Sequence, residues 1–283
     1  MRALAASGGV VGVDEAVPYS VTPFPAGRRV VLDVLRAATA RFPVHALVEY
    51  DVSEARRRMA QYPEHVSWTG FVVATLGRAV ALHPELNARK AGRRIVRFGR
   101  VDVAATVEHL GAPDAAPTPV TIRSADLLRP DRITAALSEA KRSRPAAGRT
   151  RGAPLRSRLP GSLRRGLLRV VAATPQGAAS LGPCVGVTSL GMLGGGGGWA
   201  VPLAPLTVVV TVAGVVERPV ARDGQVVIRP HLPLTLSFDH AVVDGAPAAR
   251  FAETLRTLVE SAAVLTADPK GERHGDQPAA LPQ

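Results

Sequence analysis

Ser237-Phe238-Asp239-His240-Ala241-Val242-Val243-Asp244-Gly245 sets a histidine, three spacers, an aspartate and a glycine directly behind an alternating apolar run. Such an order reads as a strand that carries a base to its end and then turns sharply into a helix, the glycine permitting the turn. Imidazole has its unperturbed pKa nearest neutrality, so it can take a proton from a thiol or hydroxyl and return it later. Asp244 could orient a partner of that base.

Three fixed letters alone are weak evidence, and an isolated histidine is most often a buried one satisfied by backbone. The flanks decide between the two. From Val187 the chain runs Val-Thr-Ser-Leu-Gly-Met-Leu-Gly, then an apolar strand, then Val216-Glu-Arg-Pro-Val-Ala-Arg-Asp-Gly-Gln-Val-Val-Ile-Arg-Pro. The histidine motif follows, and after it Ala246-Pro-Ala-Ala-Arg-Phe-Ala-Glu-Thr-Leu. This series, over about residues 185 to 260, resembles the catalytic domain of the dihydrolipoamide acyltransferases of 2-oxo acid dehydrogenase complexes, within the chloramphenicol acetyltransferase-like superfamily. Upstream, Glu49-Tyr-Asp-Val-Ser, His83-Pro-Glu-Leu-Asn-Ala and Pro119-Val-Thr-Ile-Arg-Ser-Ala-Asp occur in the family's order.

The chain has 283 residues, enough to bury a sizeable core as one large domain with tails. Its single cysteine, Cys184, allows neither an internal disulfide nor a cysteine metal cluster, which fits a reducing cytoplasm. Met1 to Ala6 imitates a signal peptide faintly, but Asp14 and Glu15 interrupt before an adequate apolar region, and no later run is long enough for a membrane span. The formal charge is +12. Ten cations between Lys141 and Arg169, with no acidic residue among them, leave about +2 for all the rest. The basicity is therefore one local segment. It has no aromatic residues for stacking, so a nucleic-acid partner is not expected.

Residues 1–27 read as an N-terminal arm, 28–265 as the catalytic domain with a basic insertion at about 144–175, and 266–283 as a disordered tail. Apolar spacing predicts helices over Arg28 to Arg41, over Thr69 to Leu82 and over about Pro130 to Ser143, with Ser53 capping a short helix from Glu54. Strands are expected at Ala46 to Val52 and at Pro119 to Arg123, with Ile95 to Phe98 pairing Val101 to Val107. Ser162 to Ala173 reads as an amphipathic basic helix, with Leu163, Leu167, Val170 and Val171 opposed to Arg165 and Arg169. Leu206 to Val216 should be a central strand, and Asp223-Gly224 the turn of a hairpin. Gly245 to about Leu265 closes the domain with Phe251, Leu255 and Leu258 inward.

The resemblance implies an α/β two-layer sandwich with a mixed sheet, associating as a homotrimer whose active site lies between subunits. It implies that His240 is the general base and that Asp244 is a structural partner forming an ion pair with an arginine, Arg29 or Arg36. It places at Thr188 or Ser189 a hydroxyl that donates to the tetrahedral oxyanion; the alternative is a hydroxyl that merely fills a strand end. One such donor is worth roughly 3 kcal/mol in a transition state. The reaction implied is direct acyl transfer between coenzyme A and a dihydrolipoyl thiol, with no metal and no covalent acyl-enzyme. The lipoyl group is expected on a separate carrier protein, because the catalytic fold uses almost the whole chain.

Ala241 departs from the arginine usual after the histidine in these acyltransferases and is closer to the chloramphenicol acetyltransferase form. A small-molecule O-acetyltransferase is therefore an alternative, and a non-catalytic scaffold is a second. The basic insertion reads first as a solvated loop. It could instead bind the phosphates of coenzyme A or an acidic partner, or lie on a membrane surface. Gly194 to Gly198 lacks the lysine of a phosphate loop and is taken as a flexible loop near the site, while His83, His109 and His231 lack metal-ligand spacing.

Overall fold

The computed structural model describes residues 19–24, 26–108, 117–143, 161–190 and 197–266. Most of the expected arm, residues 144–160 of the basic insertion, most of the glycine loop, His109 and the tail beyond Thr266 lie outside the described residues.

Nine strands and seven α-helices are described. In chain order they are α1 (Ala26–Ala38), β1 (Pro43–Asp51), α2 (Ser53–Gln61), α3 (Trp68–Leu82), β2 (Ala88–Ala91), β3 (Arg94–Arg97), β4 (Val103–Val107) and β5 (Thr118–Ile122). There follow α4 (Pro130–Arg142), α5 (Gly161–Ala173), α6 (Pro175–Ser180), β6 (Val185–Ser189), β7 (Val208–Val212), β8 (Val216–Arg222), β9 (Gln225–Asp239) and α7 (Gly245–Glu260). A 3-10 turn at Ala263–Leu265 ends the described fold.

The sheet runs β1-β9-β7-β6-β4-β5, with β8 pairing the first half of β9 on the side where β7 pairs the second. The β4–β6 and β6–β7 pairs are parallel and the others antiparallel, so the sheet is mixed as expected. β7 is Val-Val-Val-Thr-Val, wholly buried, the composition of a strand covered on both faces. β9 is fifteen residues long. Its Leu232, Leu234, Leu236 and Phe238 alternate onto the face covered by α3 and α7, where Phe238 meets Phe251 edge to face at 5.8 Å. Burying such side chains stabilises by roughly 1.5 to 3 kcal/mol each.

α3 is nearly all apolar and correspondingly buried, with Ser67 accepting from the Gly70 amide at its start and His83 ending it. Gly77 is required by a close approach, since a Cβ there would lie 2.6 Å from the Ala125 backbone. Asp223 and Gly224, both at positive φ, form the two-residue turn of the β8–β9 hairpin that the Asp-Gly pair announced.

Four details differ from the sequence expectation. β3 pairs with β2 as a separate hairpin, and β4 pairs with β5 and β6; β2, Ala-Arg-Lys-Ala, has no β-branched residue to reveal it. Ser53 is the first residue of α2, not its cap, and the Asp51 carboxylate accepts its amide hydrogen at 2.8 Å. The stretch Leu206 to Val216 holds only the five residues of β7 before the chain passes to β8. The closing helix stops at Glu260, with Phe251 and Leu255 buried and Leu258 packed against the core. In α5, Leu163, Leu167 and Val170 are exposed, as Arg169 is, and Val171 is half-buried, so most of its apolar stripe is uncovered by the described residues.

Candidate active site

The second half of β9 is buried, residue after residue, and the burial ends at His240. A rigid central strand thus delivers an imidazole to the surface. The His240 side chain is 50 % exposed, and its Nδ1 lies 3.5 Å from the Asp244 carboxylate four residues on. Asp244 is the N-cap residue of α7 and is 85 % exposed, without a side-chain cap bond. Of the arginines expected to hold it, Arg36 lies 3.9 Å from Asp33 instead, and the Arg29 side chain lies outside the described residues.

The buried carboxylate of this corner is Asp239. Its Oδ2 accepts from Arg41 Nη1 at 2.7 Å and its Oδ1 from the Ala241 amide at 3.2 Å. Its carbonyl accepts from the amides of Val242 and Val243, and its own amide donates to Thr207. His240 donates its amide hydrogen to the Phe42 carbonyl at 2.8 Å. The sequence held one hint of this. An acid closing an apolar strand needs a cation, although nothing in the spacing selects Arg41.

Thr188 and Ser189 end β6, the first half-buried and the second exposed. Strand pairing places them far from His240 in the same chain. Asp239 is level with Thr207, whereas Thr188 is level with Thr211, four residues further along β7 and hence about 13 Å away along the strand. Thr188 shares its sheet face with the cross-strand neighbours Thr211 and Thr235. The hydroxyls of those two are buried without a hydrogen-bond partner. Ser189 is on the other face, that of Val185 and Val187.

On the polar face, His45 Nδ1 lies 2.8 Å from the Ser237 hydroxyl, and a cleft beside it is lined by Arg41, Pro202, Leu203, Ser237 and Asp239. Gly197 and Gly198, both at positive φ, lead into this segment, and the Trp199 indole donates to the Val48 carbonyl. Cys184 is buried, which pushes its thiol up to about 11 and keeps it protonated at neutral pH. His83 packs on Phe251 and bonds the Thr254 hydroxyl, and His231 lies against its own strand. Among the described residues no group of three His, Cys, Asp or Glu could hold a metal ion, and no helix is long and apolar enough to cross a membrane.

The fold has counterparts among solved structures. The structure of the dihydrolipoamide acetyltransferase of Azotobacter vinelandii superimposes with a TM-score of 0.66 over 92 % of this chain and 99 % of that one, at 21 % identity. This chain therefore has the fold of a dihydrolipoamide acyltransferase catalytic core.

Residues 180–267, which include the histidine corner and the Thr188 strand, match the family of 2-oxoacid dehydrogenases acyltransferase (catalytic domain). The lipoamide acyltransferase component of the branched-chain alpha-keto acid dehydrogenase complex from Pseudomonas putida is 46 % identical over 84 residues, 30 % of this chain and 20 % of that protein. Its counterpart from Pseudomonas aeruginosa is 29 % identical over 277 residues, 93 % of this chain and 57 % of that protein. The chain thus spans about half, or less, of the length of these relatives.

Proposed function

We propose that the protein is an acyltransferase that moves an acyl group between coenzyme A and a dihydrolipoyl thiol carried by another protein, with His240 as general base. The observation that carries this reading is a half-exposed histidine at the end of a buried central strand, bracketed by hydrogen bonds on both sides. With Nδ1 turned toward Asp244, Nε2 is the nitrogen left for the acceptor thiol. His240 takes the thiol proton as sulfur attacks the thioester carbonyl. A hydroxyl donates to the oxyanion of the tetrahedral intermediate. Collapse breaks the old carbon–sulfur bond, and the imidazolium returns its proton to the departing thiolate.

That Thr188 and Ser189 lie at the far end of the sheet from His240 supports a hydroxyl supplied by a second copy of the chain. A homotrimer with His240 of one subunit facing Thr188 of the next satisfies this and the resemblance alike. Thr188 is favoured over Ser189. The Azotobacter vinelandii structure concerns the roles of a serine, a histidine and an asparagine in catalysis. That histidine and asparagine are four residues apart, as His240 and Asp244 are, and that serine precedes the histidine by the same distance as Thr188 precedes His240. A single buried cysteine supports a cytoplasmic setting.

Ala241 favours one second reading, O-acetylation of a small hydroxyl compound, since it sets no basic side chain beside the base. One experiment separates these. Acyl transfer from acetyl-CoA and longer acyl-CoAs is measured for wild type and His240→Ala. With dihydrolipoamide the S-acyl product is quantified chromatographically, because thiol-to-thiol transfer leaves the thiol count unchanged; with a panel of hydroxyl compounds thiol release is followed, and buried Cys184 adds no signal of its own. Turnover with dihydrolipoamide that falls about 10²- to 10⁴-fold in the variant is expected. Turnover confined to hydroxyl acceptors would establish the second reading, and none with any acceptor would point to a scaffold.

A further inference from the structure

Asp239 and His240 are consecutive, and so are the two residues that hold them. Arg41 takes the Asp239 carboxylate by its guanidinium, and Phe42 takes the His240 amide by its carbonyl. The pair belongs to a fixed path. The Arg41 amide bonds back to Ala38 at the end of α1, and Pro43, next after Phe42, begins the β1–β9 ladder opposite Asp239. On the other side Asp239 is tied to Thr207 ahead of β7.

The carboxylate is 1 % exposed and its arginine 22 %, so this is a largely desolvated ion pair. Pairs of this kind are commonly no more stabilising than apolar groups of similar volume, so stability alone does not account for one here. What it does provide is direction. Asp239 uses its amide on the Thr207 carbonyl, Oδ1 on the Ala241 amide and its carbonyl on Val242 and Val243, so one residue fixes the backbone on either side of the imidazole.

We propose that Arg41 is a positioning residue for the base: the Arg41-Phe42 pair clamps Asp239-His240, holding the imidazole where an acceptor thiol or hydroxyl meets it. The inference rests on His240 being the base of the proposed acyl transfer. Arg41 touches no reacting atom, and its effect passes entirely through Asp239.

The full chain is compared as wild type, Arg41→Met, Asp239→Asn and Arg41→Lys. Readouts are kcat and KM for acetyl-CoA with whichever acceptor the wild type uses, and amide hydrogen exchange of residues 238–244. Arg41→Met and Asp239→Asn each should lower kcat about 100-fold, the penalty of a base displaced by about 1 Å. KM should change less than about threefold, and Arg41→Lys should recover kcat to within about tenfold of wild type. Exchange over 238–244 should quicken in the first two variants and not in the third.

Wild-type kcat per folded molecule in Arg41→Met and Asp239→Asn would overturn the clamp while leaving the acyltransferase reading standing. Should the wild type turn over no acceptor, the function fails separately and exchange alone decides. Faster exchange confined to 238–244 would support the clamp, and unchanged exchange would overturn it.

Discussion

The two faces of the sheet are made of different residues. Toward α3 and α7 lie Val208, Val210, Val212, Leu234, Leu236 and Phe238; toward the other side lie Thr211, Thr235, Ser237 and Asp239. Both sets are buried to nearly the same degree. The first is filled by dispersion and water exclusion and has no polar atom to satisfy. The second leaves the Thr211 and Thr235 hydroxyls without partners while binding Asp239 completely. One face supplies stability, and the other spends some of it to hold chemistry in place.

Substitutions on each face sharpen that contrast. Phe251→Ala empties the pocket that Phe238 and His83 share and should lower the free energy of unfolding by about 3 to 5 kcal/mol in urea titration. A cost under about 1 kcal/mol would mean the helix face is not the stabilising one. Gly77→Ala should cost about 1 to 3 kcal/mol by the same measurement, although alanine is the better helix former, because its methyl group would strike the Ala125 backbone. On the polar face the sign reverses. Thr235→Val removes a buried hydroxyl that bonds nothing and should raise stability by about 1 kcal/mol, seen as a higher melting temperature. A loss there would show that the hydroxyl has a partner in the assembled protein.

The histidine corner was legible because local signals agreed: an apolar strand, a histidine at its end, a glycine at the turn and an Asp-Gly hairpin upstream. Each of these is set by residues within a few positions of one another. Asp239–Arg41 was not legible, since the partners are far apart in sequence and the chain offers many arginines. Sheet order was equally hidden. Ile95 to Arg97 and Val103 to Val107 look like neighbours by hydrophobicity, yet the first pairs with the alanine- and lysine-containing β2 and the second crosses to β6. The place of Ser53 turned on a single residue, because Asp51 reaches over and bonds its amide.

The placing of Thr188 and His240 at opposite ends of one sheet has a consequence for the timing of activity. Under the proposed mechanism a newly made chain carries two half-sites and no whole one, so a folded monomer is silent and activity arrives only on assembly. No unpaired subunit could then spend acyl groups on stray thiols, and dilution would act as an off switch that needs no inhibitor.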